Sequence, residues 1–139
     1  MTLELPQLLL VDDDLAVGQA FSRRARCLFR VTTTTDPKQA LDILRTNQAF
    51  AAILSDLFMP SINGVTFLRA ARTLAPRSKC YLFTGKVDHG RFQHDMAEAG
   101  IARMFFKPLD ALLLNEALKA DLQAQPGVLS RIIRAITLS

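Results

Sequence analysis

Apolar residues recur along the chain in two rhythms. Short runs of four to six, each closed by a turn or a polar residue, alternate with longer stretches in which they return every three or four positions. Runs of the first kind read as buried strands and stretches of the second kind as amphipathic helices. The runs are Gln7 to Val11, Phe29 to Thr34, Ala51 to Ser55, Lys79 to Thr84 and Ala102 to Phe106. Phe29 to Thr34 is β-branched and alternating, which suits a strand near a sheet edge. Between and after the runs lie helical patterns from Leu15 to about Leu28, from Asp36-Pro37, from about Val65 to Leu74, from about Asp88 to Ala99, and from Leu109 to about Gln123. Asp14 and Asp36 are placed to cap the first two helices, with Pro37 at the first helical position of the second. Gly100 is expected as the C-terminal cap of the fourth. Five strands alternating with five helices call for α/β architecture, a parallel sheet covered by helices on both faces.

Gln125-Pro126-Gly127 interrupts the pattern, and Val128 to Leu138 follows as one more apolar-rich helical segment. The expected organisation is one domain over residues 1–124 with a C-terminal helical extension or linker over residues 125–139. An isolated helix of that length is marginal in water, so the segment needs a surface to pack on. Folding back, pairing between two copies and leading to a further domain are all open.

Length and composition agree with this reading. The chain has 139 residues, half of them hydrophobic and 22% charged, enough for one folded core. No apolar stretch approaches the roughly 18 residues that span a bilayer. Met1 to Pro6 has no basic region before an apolar core, so no secretory leader is expected. Cys27 and Cys80 stand far apart and read as reduced core or semi-buried thiols of a cytoplasmic protein. The net charge of +4 is concentrated at Arg23, Arg24, Arg26 and Arg30. Without zinc-finger spacing or a reading helix, that cluster is a solvated helix face and not a nucleic acid site.

The chemistry gathers at strand ends. Asp12 and Asp13, Asp56, Thr84 and Lys107 each follow or close a different run. In a parallel sheet those ends lie along one edge, where ligands bind. Three carboxylates there repel one another unless a cation joins them, and hard oxygen donors suit Mg²⁺. Lys107 adds a positive charge and Thr84 a hydroxyl donor. Together they describe a phosphoryl site, with Asp56 as the nucleophile.

The motifs Leu-Leu-Val-Asp-Asp-Asp, Leu-Ser-Asp-Leu-Phe-Met-Pro-Ser-Ile-Asn-Gly, Phe-Thr-Gly and Phe-Phe-Lys-Pro stand in an order and spacing that resembles the receiver domain of two-component response regulators. The resemblance covers residues 7 to 124 and implies a flavodoxin-like (βα)5 fold with strand order 2-1-3-4-5. It also implies that Asp56 accepts a phosphoryl group from a sensor histidine kinase or a histidine phosphotransfer protein. Asp13, Asp56 and the backbone carbonyl of Phe58 would ligate Mg²⁺, with Asp12 acting through water. Lys107 would meet a phosphate oxygen, Thr84 would move in to hydrogen-bond it, and the Lys107-Pro108 bond would be cis. The signal would leave through the face formed by the fourth helix, the fifth strand and the fifth helix, for which a homodimer is one use.

Two positions depart from that family's habit. Met104 stands where an aromatic switch residue is usual, which leaves a phosphorylation-independent pseudo-receiver or adaptor as the competing expectation. Phe58 and Lys86 flank the phosphoryl site. Phe58 cannot supply a proton, which argues against a hydrolase that passes through an aspartyl-phosphate. His89 and His94, five apart, read as surface residues. Phe105 and Phe106 read as buried strand residues. Leu112, Leu113, Leu114 and Leu118 read as mostly core, with a minor share left for a dimer face.

Overall fold

The computed structural model describes residues 4–85 and 93–123, and statements of absence below concern these. Residues 125–139, expected as the extension or linker, lie outside them, as do Lys86 and His89.

Five strands and five helices alternate along the chain: β1 (Gln7–Val11), α1 (Leu15–Ala25), β2 (Arg30–Thr34), α2 (Pro37–Thr46), β3 (Phe50–Asp56), α3 (Gly64–Leu74), β4 (Lys79–Thr84), α4 (Gln93–Ala99), β5 (Arg103–Phe106) and α5 (Ala111–Gln123). The strands form one parallel sheet in the order β2-β1-β3-β4-β5, as the sequence motifs imply. Its register aligns Val11 with Thr34 and with Ser55, Asp56 with Phe83, and Thr84 with Phe106. The C-terminal ends of all five strands therefore share one edge.

Alternation of side chains across the pleat divides the core in two. On one face Leu9, Ile53 and Leu82 pack with Ala40 and Leu44 of α2 and with Phe67, Leu68 and Ala71 of α3. On the other, Leu8, Leu10, Leu54, Tyr81 and Phe105 pack with Phe21 and Ala25 of α1 and with Leu114, Ala117 and Leu118 of α5. The three central strands are nearly continuous apolar runs because both their faces are covered.

Caps set most helix boundaries. Asp14 accepts from the Ala16 N–H, and Asp36 from that of Lys38 with Pro37 at the helix start. Gly100 follows α4 at φ +73, a conformation glycine adopts without penalty. Asn63 caps α3 by accepting from the Thr66 N–H at 2.9 Å.

The structure corrects several expectations. Helix α1 stops at Ala25, three residues early, where the Leu28 and Phe29 N–H groups both turn back to the Ala25 carbonyl. Helix α5 starts at Ala111 because Asp110 caps it, accepting from the Leu112 and Leu113 N–H groups. That phase turns Ala111, Leu114, Ala117 and Leu118 inward and leaves Leu112 and Leu113 68% and 58% exposed, so half of the leucine stripe is surface. Phe106 is 48% exposed where burial was expected, since β5 is an edge strand and Phe106 is its last residue. Cys27 is exposed in the turn after α1, whereas Cys80 is buried.

Candidate functional site

Each residue of the candidate site stands where a strand ends and its side chain leaves the sheet. Asp12 follows β1, and its N–H bonds to the Thr34 carbonyl at 3.2 Å, so the chain stays paired for one residue beyond the strand. Asp13 lies next and is exposed. Asp56 closes β3 and Thr84 closes β4, both buried. Lys107 follows β5, and its N–H bonds to the Thr84 carbonyl at 3.0 Å. The peptide bond from Lys107 to Pro108 is cis.

One carboxylate oxygen from each of Asp12, Asp13 and Asp56 lies within 4.8 Å of the others. The Lys107 ammonium stands opposite, 2.8 Å from Asp12 Oδ2 and 3.4 Å from Asp56 Oδ2. It also lies 5.2 Å from the centre of the Phe83 ring, whose face attracts a cation. The Asp12 side chain is oriented by the Asp14 N–H, which donates to Oδ1 at 2.9 Å. Its buried Oδ2 is paired with the Lys107 ammonium. Three carboxylates gathered around one lysine leave an excess of negative charge, and their oxygens are close enough together to share a hard cation.

The electrostatics point the same way. Burial, and then the charge of Asp12, push the Asp56 carboxyl above its ordinary range. The charge and hydrogen bond of Lys107 and the Phe58 N–H oppose that rise without cancelling it. Burial alone would lower Lys107, but its hydrogen bond to Asp12 and the charges of both aspartates hold it raised, so it stays an ammonium. A divalent ion among these carboxylates would reverse the balance at Asp56 in favour of the charged, nucleophilic form. The donor set fits such an ion.

Two residues that shape the site were not singled out in the sequence. Gly64 bonds through its N–H to the Leu57 carbonyl at 2.9 Å, folding the loop after Asp56 tightly back. A Cβ there would stand 2.3 Å from the Asp56 carbonyl oxygen. An Asn-Gly pair is a turn signal in the letters, but close approach of two backbones leaves no signal of its own. Ser55 donates from Oγ to the Asp56 carbonyl at 2.9 Å, fixing the backbone that aims the carboxylate. A serine inside an apolar run was the available sign. Phe58, 40% exposed, donates its N–H to the Asp56 carboxylate, and Met104 is half-buried on β5.

Residues 8–119 match the sequence profile of the response regulator receiver domain. The chain belongs to that family. Receivers are signalling modules of two-component systems and not enzymes in the ordinary sense. Among curated proteins, this receiver is 30% identical over 117 residues to the hydrogenase transcriptional regulatory protein HoxA of Cupriavidus necator. The match takes in 84% of this chain and 24% of HoxA, so the chain spans about a quarter of that relative's length. Among solved structures, a CheY-like receiver domain protein of Methanospirillum hungatei superposes with a TM-score of 0.77 at 24% identity, over 89% of this chain and 98% of that one. The signal receiver domain of an HD domain-containing protein from Pseudomonas fluorescens gives 0.76 at 26% identity, over 89% and 99%. Among the described residues no helix is long and apolar enough to cross a membrane.

Proposed function

We propose that Asp56 accepts a phosphoryl group from the phosphohistidine of a sensor histidine kinase or a histidine phosphotransfer protein in the cytoplasm, and that the receiver then signals through its α4-β5-α5 face. The observation that supports this most is the meeting of Asp12, Asp13 and Asp56 with Lys107 at the edge where all five strands end. In the transfer, an Asp56 carboxylate oxygen forms a bond to phosphorus as the phosphorus–nitrogen bond breaks. The departing imidazole nitrogen keeps the electron pair and the product is an acyl phosphate.

Lys107, held as an ammonium, stabilises the negative oxygens of the group in flight. Thr84, at the end of β4, offers its hydroxyl to the same oxygens once they are bound. Asp13, Asp56 and the Phe58 carbonyl would hold Mg²⁺, with Asp12 contributing through water. Bound there, the ion supplies charge neutralisation between the carboxylates and the phosphoryl group. The receiver itself is read as a protein-binding module that makes no direct contact with nucleic acid.

The test is intact-mass analysis after incubation with acetyl phosphate or phosphoramidate and Mg²⁺. The expected result is a gain of one phosphoryl group, absent with a chelator and absent in Asp56→Asn. A native chain that gains nothing would overturn the proposal and favour an adaptor that works without phosphorylation.

A further inference from the structure

A cleft of about 420 Å³ separates α1 from the connection between β5 and α5. Val17, Ala20 and Phe21 form its α1 wall, Pro108 and Leu109 face them, and Phe83 of β4 lies between. Two cationic side chains stand among these apolar ones, Lys107 and Arg24. Cavities of about 300–1,000 Å³ with apolar walls and a few placed polar groups are the usual form of a small-molecule site.

The two cations are not equivalent. The Lys107 ammonium is held by Asp12 and Asp56, neither of which lines the cleft. What Lys107 presents to the cleft is therefore its methylene stem. Arg24 is exposed, and among the described residues no acid pairs with it. Arg23 and Arg26 do not line the cleft, so Arg24 is its one cation with a charge to offer. From Val17 to Arg24 the helix rises about 10 Å, which sets the length of the apolar space.

Acids confine where a negative charge can sit. Beyond Arg24 a wider cleft of about 590 Å³ continues, sharing Arg24, Pro108 and Leu109 with the first and lined also by Asp110. Asp110 Oδ1 accepts from the Leu112 and Leu113 N–H groups at 2.9 and 3.2 Å, so this carboxylate is held at the start of α5. An anion is repelled on that side by Asp110 and at the opposite end by Asp12, Asp13 and Asp56. One place for a single negative charge remains, on the Arg24 guanidinium at the mouth of the narrower cleft. We infer that this cleft binds a small amphipathic monocarboxylate about 10 Å long, its carboxylate on Arg24 and its apolar end between Phe21, Leu109 and the Lys107 stem. Such a ligand would touch the lysine that serves the phosphoryl site. Its binding does not require phosphorylation of Asp56, so this inference and the preceding reading fail separately.

Titration of the full chain with 4-phenylbutyrate, followed through backbone amide NMR shifts, tests it. Saturable binding is expected with a Kd on the order of 1 mM or tighter. The shifts should concentrate on the amides of Val17 to Arg24 and of Lys107 and Leu109 to Leu112. The uncharged 4-phenylbutyramide should bind about tenfold more weakly, and Arg24→Gln, at an exposed position, should weaken the acid by a similar factor. Ala20→Phe, which fills the cleft from the α1 side, should remove binding of both compounds. Failure to saturate, shifts centred on other elements, or equal binding of acid and amide overturns the inference. So does binding of the acid that survives Arg24→Gln and Ala20→Phe unchanged.

Discussion

Phe58 lies two residues beyond Asp56 and beside its carboxylate. Its N–H is engaged by the Asp56 carboxylate, and its ring, 40% exposed, has no group that could orient water or move a proton. We expect a long-lived acyl phosphate, and Phe58→Asn should hasten its loss by at least about tenfold. Mass spectrometry over time reads the outcome; a native half-life of seconds that the substitution leaves unchanged contradicts it. Gly64 makes a different demand, because its missing Cβ is the room the loop needs. Gly64→Ala would press a methyl group to 2.3 Å from the Asp56 carbonyl oxygen and 2.7 Å from Leu82 Cδ2. The backbone contact cannot yield cheaply, so urea unfolding should register a loss of about 3 kcal/mol. A loss below about 0.5 kcal/mol, the range of ordinary surface changes, would contradict that account. At this scale the sequence was readable wherever chemistry announces itself. Asp12, Asp13, Asp56 and Lys107 are charged residues at the ends of apolar runs, while Gly64 and Ser55 act through backbone geometry that the letters do not encode.

Elements are held to one another by fewer polar contacts, and one network joins three of them. Tyr81 of β4 donates its hydroxyl to Asp121 of α5 at 2.6 Å, and Arg103 of β5 grips the same carboxylate through two nitrogens. The Arg103 hydrogen bonds first, and that of Tyr81 next, hold the Asp121 carboxyl below its ordinary range against the cost of burial. A carboxyl lowered in the folded state contributes stability above its unfolded pKa and loses it as pH falls through the folded value. Asp121→Asn should therefore cost about 2 kcal/mol at neutral pH, and almost nothing once the native carboxyl is protonated. Urea titrations across the acid range give the comparison; a cost independent of pH would remove the ion pair as its cause. Asp121, Tyr81 and Arg103 lie far apart in sequence, so no local pattern revealed this clamp. The elements themselves were legible, because period-two and period-3.6 patterns follow from backbone geometry. The phase of α5 was not. Three consecutive leucines fit several rotations, and the Asp110 cap and the packing against α1 select the one that exposes Leu112 and Leu113.

At the scale of the whole molecule, the proposed function requires a change at the strand edge to reach the α4-β5-α5 face. Parallel alternation made the convergence of the site readable, since it sends every strand end to one edge whatever the details. The route outward is less evident, because Met104 stands where the resemblance to receivers leads one to expect an aromatic ring. Register places Met104 beside Leu82 and Phe106 beside Thr84, so Thr84 sits across the β4-β5 pair and two residue pairs from Met104. Met104 is half-buried against the core face shared with Met96, Ala99 and Ile101, and it also lines a groove beside Leu113. If the Thr84 hydroxyl moves towards a phosphoryl group, it vacates space on that face. An unbranched thioether can refill such space by rotamer changes alone, at little cost. A tyrosine would have to swing as a rigid plate and carry its hydroxyl from solvent to the interior. The receiver should accordingly switch by repacking Met104, with a smaller change in surface than an aromatic switch gives. Crystal structures with and without beryllofluoride and Mg²⁺ should differ in the Thr84 and Met104 side-chain torsions. An unmoved Met104 beside a displaced Thr84 would break this link and leave α4 as the route to be examined.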